Sequence, residues 1–240
     1  MNQTDDGGRT TAVSGQAPAL SGVRMSNAVE GSAVIVANGE LTRNARLQEL
    51  WRRAGVRIAA DGGARNARLY LELAPHVIIG DMDSLDEETR VWLESNPVEF
   101  LRHPPAKDET DLELALLLAQ TRGADSITIL GAYGGRVDQF VANVLLLTRE
   151  KNVRITDAAS EMWVSDSQAT VEGSVGDIVS LIPLDERVEG IVTENLQYPL
   201  RAETLTLGST RGISNVMLKD RAYVHWTKGK LLIVHLYSEI

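Results

Sequence analysis

Two aspartates, Asp81 and Asp83, stand two positions apart directly after a short apolar run and a glycine, Gly80. Neighbouring carboxylates repel each other, and a divalent cation or a shared proton relieves that repulsion. The residues after Ser84 have the acidic first turn of a helix, with Ser84 as the predicted N-cap. An acidic loop that only caps this helix is the alternative, and the motif by itself leaves both interpretations open.

A second acidic cluster, KDETD, occupies residues 107–111 at the start of a strongly apolar helical pattern. Thr110 or Asp108 can cap that helix, and the helix dipole favours a carboxylate such as Asp111 in its first turn. Asp111 would also lie on the same sheet edge as Asp81 and Asp83. Three carboxylates with open water positions are typical of Mg²⁺ sites that hold substrate phosphates, so we predict that these three aspartates bind Mg²⁺.

A glycine-rich loop, GAYGGR at residues 131–136, lies between a predicted strand and a predicted helix. Its backbone N–H groups and the helix N-terminus can face an anion, Arg136 adds a guanidinium group, and Asp138 follows two residues later. The loop matches neither the Walker A pattern nor the GxGxxG dinucleotide fingerprint. Glycines also occur at strand–helix turns for steric reasons alone, so the loop by itself is a weak signal.

Short apolar strands alternate with amphipathic helices through the first two thirds of the chain. The predicted strands cover residues 33–37, 56–60, 76–79, 98–101, 126–130 and 153–156. The predicted helices cover about residues 43–54, a segment around 67–73, the run after Ser84, and residues 110–121 and 137–148. This alternation predicts a doubly wound, mainly parallel α/β sheet. Four strands end in the loops NGE, DGG, GDMDS and GAYGGR, which right-handed crossovers would gather at one edge.

The pattern changes near Ala158, after which short β-prone runs with glycine turns recur about every ten residues. This second pattern predicts a C-terminal β-sandwich. We therefore predict a disordered tail over residues 1–31, an α/β domain over 32–157 and a β-sandwich domain over 158–240. Composition alone favours a hairpin connection for the polar loop 208–215, and it leaves Trp226 open between packing and stacking.

The bulk properties exclude several classes of protein. The 240 residues contain no cysteine, which excludes disulfides and thiolate sites and fits a cytoplasmic location. A formal charge of −9 argues against broad nucleic-acid binding, and no apolar run is long enough to span a membrane. No signal-peptide pattern precedes the first strand, and Met25 is an alternative start of translation.

Six stretches, in this order along the chain, together resemble the thiamine pyrophosphokinase family. They are ADGGARNARLY (60–70), IIGDMDSL (78–85), KDETDLELAL (107–116), GAYGGRVDQFVANVLLL (131–147), LQYPL (196–200) and GISN (212–215). The resemblance covers nearly the whole chain after the tail. It implies transfer of a diphosphate from ATP to the hydroxyl of thiamine, in a homodimer whose active site lies between the α/β domain of one subunit and the β domain of the other.

The resemblance also assigns roles to residues. Asp81, Asp83 and Asp111 would hold Mg²⁺ on the ATP phosphates, and Asp111 is a candidate to contact thiamine and deprotonate its hydroxyl. Ser214 and Asn215 would line the thiamine pocket. The nucleotide would be bound by Asn38, Asp61, Gly62, Gly63, Lys107, Asp108, Gly134, Gly135, Arg136 and Asp138.

Two departures from the family pattern stand out. Lys107 occupies a position where the family often has Gln, and Arg65 follows DGGA where the family often has Asn, with Asn66 one place later. Two other functions stay open on the sequence: a magnesium-dependent nucleotide hydrolase, in which water replaces the alcohol, and a non-catalytic sensor of thiamine or nucleotide on the same fold.

Overall fold

The computed structural model describes residues 29–238, except for the side chain of Val29. The first six strands form the parallel part of a sheet in the spatial order β6-β5-β1-β2-β3-β4. These strands are β1 (Val29–Val36), β2 (Ala54–Ala60), β3 (Val77–Gly80), β4 (Glu99–Arg102), β5 (Ser126–Leu130) and β6 (Val153–Thr156). All six predicted strands are therefore confirmed, with ends that differ by up to four residues.

Helices cover both faces of this parallel region, as the continuous apolar runs of its strands require. The helices are α1 (Ala45–Arg53), α2 (Gly63–Asn66) with a π-helical continuation (Ala67–Leu71), α3 (Glu87–Glu94), α4 (Asp111–Thr121) and α5 (Val137–Leu146). Alternate residues of β1 point to opposite layers: Val34 packs towards α1, α2 and α3, whereas Ile35 packs towards α4 and α5. The predicted doubly wound arrangement is confirmed.

The predicted N-cap of α3 is wrong by two residues. Asp86 caps the helix, because its carboxylate accepts a hydrogen bond from the Thr89 N–H at 2.8 Å. The hydroxyl of Ser84 instead donates to the Asp61 carboxylate at 2.5 Å, so a long-range contact takes the residue that local pattern favoured as the cap. Of the two residues predicted as caps of α4, Thr110 is the one observed, since its hydroxyl accepts from the Glu113 N–H.

The remaining strands build a sandwich on one end of the same sheet. Four of them continue the first sheet in the order β12-β9-β14-β7 beyond β6, and the other four form a second sheet in the order β11-β10-β13-β8. They are β7 (Ser160–Ser165), β8 (Gln168–Glu172), β9 (Ile178–Pro183), β10 (Arg187–Glu194), β11 (Arg201–Thr206), β12 (Asn215–Val216), β13 (Arg221–His225) and β14 (Leu231–Leu236). Side chains from both layers share one apolar core, which confirms the predicted β-sandwich. Trp226 belongs to this core, and its indole N–H donates to the Gly229 carbonyl.

A ten-stranded sheet thus runs through both halves of the chain, which the sequence did not indicate. The switch from parallel to antiparallel pairing occurs in the hairpin between β6 and β7. Asp157 makes this turn, because its side chain accepts hydrogen bonds from the N–H groups of Ala159 and Ser160 at 2.8 and 2.6 Å. The domain boundary at residue 157 stays a prediction.

The start of the chain differs from the predicted tail in one respect. Residues 29–31 belong to β1, whereas residues 1–28, including the alternative start Met25, lie outside the described residues. Within residues 29–238, no helix is long and apolar enough to cross a membrane.

Candidate active site

The carboxyl ends of β1 and β5 are bound to each other by their backbones. The Gly39 N–H donates to the Gly131 carbonyl at 2.7 Å, and the Glu40 N–H donates to the Tyr133 carbonyl at 2.7 Å. Asn66 holds the loop after β1 in place, since its buried amide donates to the carbonyls of Ala37 and Gly39, both at 2.8 Å. These contacts bring two of the predicted glycine loops together. The sequence offered no signal for the role of Asn66, which depends on contacts 27 and 29 residues away.

Two glycines permit this close approach of backbones. A methyl group on Gly63 would collide with the Val36 carbonyl oxygen, and one on Gly39 would collide with the carbonyls of Tyr133 and Gly131. A methyl group on Gly62 would likewise collide with the side chain of Asn38. The glycines of NGE and DGG therefore shape the floor of the site.

Three carboxylates form the acidic cluster of the site: Asp61, Asp81 and Asp83. One oxygen of each lies within 4.8 Å of the others, so together they could hold a metal ion. A hydrogen bond with Asp81 and repulsion by the neighbouring carboxylates raise the pKa of Asp83, the expected response to uncompensated negative charge. Oxygen ligands of this kind suit a hard divalent cation such as Mg²⁺.

Asp61 joins this cluster from the end of β2. The family resemblance had instead assigned Asp61 to nucleotide binding. Its carboxylate accepts from the Met82 N–H at 3.1 Å and from the Ser84 hydroxyl at 2.5 Å, which binds the GDMDS loop to β2. Met82 has a left-handed backbone, with φ of 66°, and its side chain is buried. Met82 is therefore buried between two aspartates, Asp81 and Asp83, which point towards the surface.

Asp111 lies beside the cluster but is paired with Lys107. The Lys107 ammonium donates to Asp111 Oδ1 at 2.8 Å, and their side chains are 12% and 29% exposed. A Cβ atom on Gly80 would come within 3.1 Å of the same Asp111 oxygen and 2.9 Å of Asp61 Cβ. Asp111 therefore stands directly over the residue that precedes Asp81. The predicted metal set with Asp111 as third ligand stays a prediction.

A cavity of about 510 Å³ opens between these loops. Of the predicted site residues, it is lined by Asn38, Asp61, Asp81, Lys107, Asp111, Gly134, Gly135 and Arg136. Its lining does not include Asp83, Asp108, Asp138, Gly62 or Gly63. Four further polar residues of the lining were not predicted as site residues: Glu109, Thr110, Gln139 and Asn143. Gln139 and Asn143 are four residues apart on α5, and this spacing after GAYGGR was the signal that could have identified them.

Arg136 and Asp138 form an exposed ion pair at the start of α5. The Arg136 Nε donates to Asp138 Oδ1 at 3.1 Å, and a second nitrogen of the same guanidinium contacts the other carboxylate oxygen. The hydrogen bond between them raises the pKa of Arg136 and lowers the pKa of Asp138. Both basic side chains in the cavity wall, Lys107 and Arg136, are thus paired with carboxylates of this chain.

Ser214 and Asn215 lie away from this cavity, at strand β12 on the far edge of the sheet. Asn215 is buried and holds residue Tyr198, because its amide accepts from the Tyr198 N–H and donates to the Tyr198 carbonyl. Ser214 has a left-handed backbone, and its N–H donates to the Ser180 hydroxyl at 3.0 Å. The LQYPL and GISN motifs therefore contact each other.

Two protein-family models match the chain. The model of the thiamin pyrophosphokinase catalytic domain matches residues 47–181, and the model of the thiamin pyrophosphokinase vitamin B1 binding domain matches residues 168–231. The first alone spans more than half of the chain. This chain belongs to the thiamin pyrophosphokinase family.

Named relatives and solved structures agree with this assignment. Thiamine pyrophosphokinase of Bacillus subtilis is 30% identical over 68% of this chain and 78% of its own length, and thiamine pyrophosphokinase 1 of rice is 28% identical over 78% and 81%. The crystal structure of the B. subtilis enzyme has a TM-score of 0.76, at 27% identity over 86% of this chain and 99% of its own. The yeast enzyme shares the fold, with a TM-score of 0.71 at 18% identity. The predicted family and enzyme class are confirmed.

Proposed function

We propose that this chain transfers the diphosphate of ATP to the hydroxyl of thiamine, which gives thiamine diphosphate and AMP. The observation that supports this most is the meeting of an acidic cluster with glycine-lined loops in one cavity at the carboxyl ends of parallel strands. Doubly wound sheets bind ligands at this edge. The family assignment supplies the identity of the two substrates.

The residues of the cavity divide between charge and position. Asp61, Asp81 and Asp83, with Asp111 beside them, would hold Mg²⁺, whose chemistry when bound is to neutralise the phosphate charge. The N–H groups around Gly134 and Gly135, with Arg136 and Lys107, line the same cavity and would face the polyphosphate. Phosphoryl transfer depends chiefly on in-line positioning and electrostatic stabilisation, which is what these groups provide.

In the reaction, the thiamine hydroxyl oxygen forms a bond to the β-phosphorus of ATP, and the bond from that phosphorus to the α-phosphate oxygen breaks. AMP leaves with the electron pair of the broken bond, and a carboxylate of the site accepts the hydroxyl proton. Asp111, the candidate base named from the sequence, lines the cavity, but as a ligand of Mg²⁺ it would be a poor base, so that role falls to a carboxylate of the site that does not bind the metal. No phosphorylated enzyme is formed, so labelled protein trapped during turnover with β-labelled ATP would contradict this mechanism.

We further propose that the working site is shared between two copies of the chain. Seven strand spacings separate β12, with Ser214 and Asn215, from β2 and its acidic cluster. At about 4.8 Å per spacing, this separation is about 34 Å, too far for one thiamine molecule to contact both regions of the same chain. A second copy that brings its Ser214 to the cavity of the first removes this difficulty.

An apolar stripe on α5 supports the placement of that second copy. Val137, Val141 and Leu145 follow each other at four-residue spacing, and they are 75%, 50% and 54% exposed. The stripe begins next to Arg136, so a copy that covers it also reaches the cavity. A charged substitution, Val141→Glu, should convert a dimer to a monomer in sedimentation, whereas a protein that is already monomeric would contradict this proposal.

The direct test of function measures AMP and thiamine diphosphate produced from ATP, Mg²⁺ and thiamine. Asp83→Asn should abolish both products, because the cluster loses a charged ligand. Omission of thiamine should also abolish AMP formation, whereas a nucleotide hydrolase would continue to release AMP. A protein that binds thiamine but forms neither product would be a sensor. The cytoplasmic location remains a prediction from the cysteine-free sequence.

A further inference from the structure

Lys107 is placed where it can compete with a metal ion. Its ammonium group lies 2.8 Å from Asp111 Oδ1, and that oxygen stands over Gly80, next to the acidic cluster. Attraction by Asp111 first, and then by Asp81 and Asp61, raises the pKa of Lys107, although partial burial opposes this. The ammonium group is therefore attracted by the same carboxylates that would attract a divalent cation.

The paired carboxylate, Asp111, stands outside the group of three that could share a cation. Asp61, Asp81 and Asp83 have oxygens close enough for one cation, while an oxygen of Asp111 is held by Lys107. Lys107 comes from the loop before α4, whereas Asp111 is fixed in the first turn of that helix. The flexible member of the pair is thus the lysine, whose long side chain can move to another anion without a change in the helix.

We propose that Lys107 masks the Asp111 carboxylate from the metal cluster until a nucleotide phosphate draws the ammonium group away, so that nucleotide binding completes the metal site. This inference rests on the proposed function, because it takes the cluster as a metal site and the cavity as a phosphate site. The ammonium group can reach a bound phosphate, since Lys107 and the loop at Gly134 and Gly135 line one cavity.

The test measures Mn²⁺ binding to the full chain without nucleotide, by electron paramagnetic resonance. Lys107→Gln should bind Mn²⁺ about fivefold or more tightly than the unaltered chain, the lower range of typical coupling between sites. The same variant should bind ATP more weakly in the presence of a chelator, because a phosphate contact is lost. Lys151→Gln is the matched control, since Lys151 is exposed in the turn before β6, at the opposite end of the strands.

A double-mutant cycle ties the effect to the pair. In an Asp111→Asn background, Lys107→Gln should no longer change Mn²⁺ affinity, because the carboxylate that the lysine masks is absent. Thermal melting of each variant checks that it is folded. Equal Mn²⁺ affinity of Lys107→Gln and the unaltered chain would overturn the inference while leaving the proposed function intact. Failure of both proteins to bind Mn²⁺, like unchanged binding in Asp81→Asn, would refute the metal cluster itself and the inference with it.

Discussion

Single residues at this site owe their roles to partners far away in the sequence. Asp61 and Ser84 contact each other across 23 positions, and this contact decides that Ser84 does not cap α3. Local patterns predicted the residue types of the site and the edge of the sheet on which they lie. They could not predict which carboxylates lie close enough to share a cation or which lysine pairs with Asp111, because both depend on side-chain distances across separate loops.

Gly63 offers a test of how closely the backbones must approach. We expect Gly63→Ala to destabilise the chain by about 1–3 kcal/mol, because its methyl group would meet the Val36 carbonyl in a fixed backbone. Urea unfolding gives this free energy. Gly123→Ala is the contrast, since Gly123 has a φ of +79° but open space around it, and only the backbone cost applies there. A Gly63→Ala variant with unchanged stability would show that the contact is not tight.

His235 predicts how stability depends on pH. Its ring is fully buried, with Nε2 at 2.8 Å from Asp177 and Nδ1 at 3.5 Å from Glu161. Burial lowers the pKa of His235, but the hydrogen bonds to the two carboxylates outweigh it and raise the pKa above its ordinary 6.5. A raised pKa means that the contribution to stability is complete below pH 6.5 and is lost as the pH rises through the higher folded value.

Asp177 determines how stability changes at low pH. Burial raises its pKa, yet hydrogen bonds from Ser174, Ser238 and His235 lower it to about 2. Its contribution is complete above its ordinary pKa of 3.8 and is lost as the pH falls towards 2. We therefore expect greatest stability to urea between about pH 4 and 6.5. The His235→Gln variant should have a free energy of unfolding about 3 kcal/mol lower at pH 6. Its stability should also decline less as the pH rises above 6.5. An unchanged decline would exclude His235 as the cause.

At the scale of elements, hydrophobic periodicity was sufficient to predict the alternating strands and helices, because each packs one or two apolar faces into a layer. β5 and β6 have the predicted limits, and α4 begins one residue after the predicted start. Capping at α3 was predicted less well, since Ser84 and Asp86 are both good caps and only the tertiary contact of Ser84 separates them.

The capping of α3 can be tested directly. Asp86→Ala should destabilise the chain by about 1 kcal/mol, because the Thr89 N–H loses its acceptor. Asp86→Asn should recover most of that loss, since an amide oxygen also accepts, although the ion pairs with Arg65 and Arg68 are removed. Equal losses in the two variants, measured by urea unfolding, would assign the effect to charge rather than to the cap.

At the scale of the whole molecule, the proposed shared site makes a quantitative prediction. Asp81→Asn removes one carboxylate of the acidic cluster and should inactivate that half of the site. Ser214→Asn places a larger side chain in the other half, and Asn tolerates the left-handed backbone at this position. Each variant alone should be inactive. A mixture refolded together should recover about one quarter of full activity, because half of the dimers are mixed and each has one intact site.

The control for this experiment is a mixture of the two inactive proteins that have not exchanged subunits. That sample should stay inactive throughout the assay. If activity fails to return after refolding, although an affinity tag carried by only one variant retains both chains, then both halves of the site belong to one chain and the distance across the sheet must be bridged in another way.

The unbroken ten-stranded sheet has a mechanical consequence. Backbone hydrogen bonds join β5 to β6 and β6 to β7, so the two halves of the chain share a stiff frame rather than a flexible linker. A hinge between them would require that ladder to open. In the proposed dimer, any closure of the site would therefore come from the loops at the strand ends or from movement of one copy against the other. The two halves of each chain would move as one body.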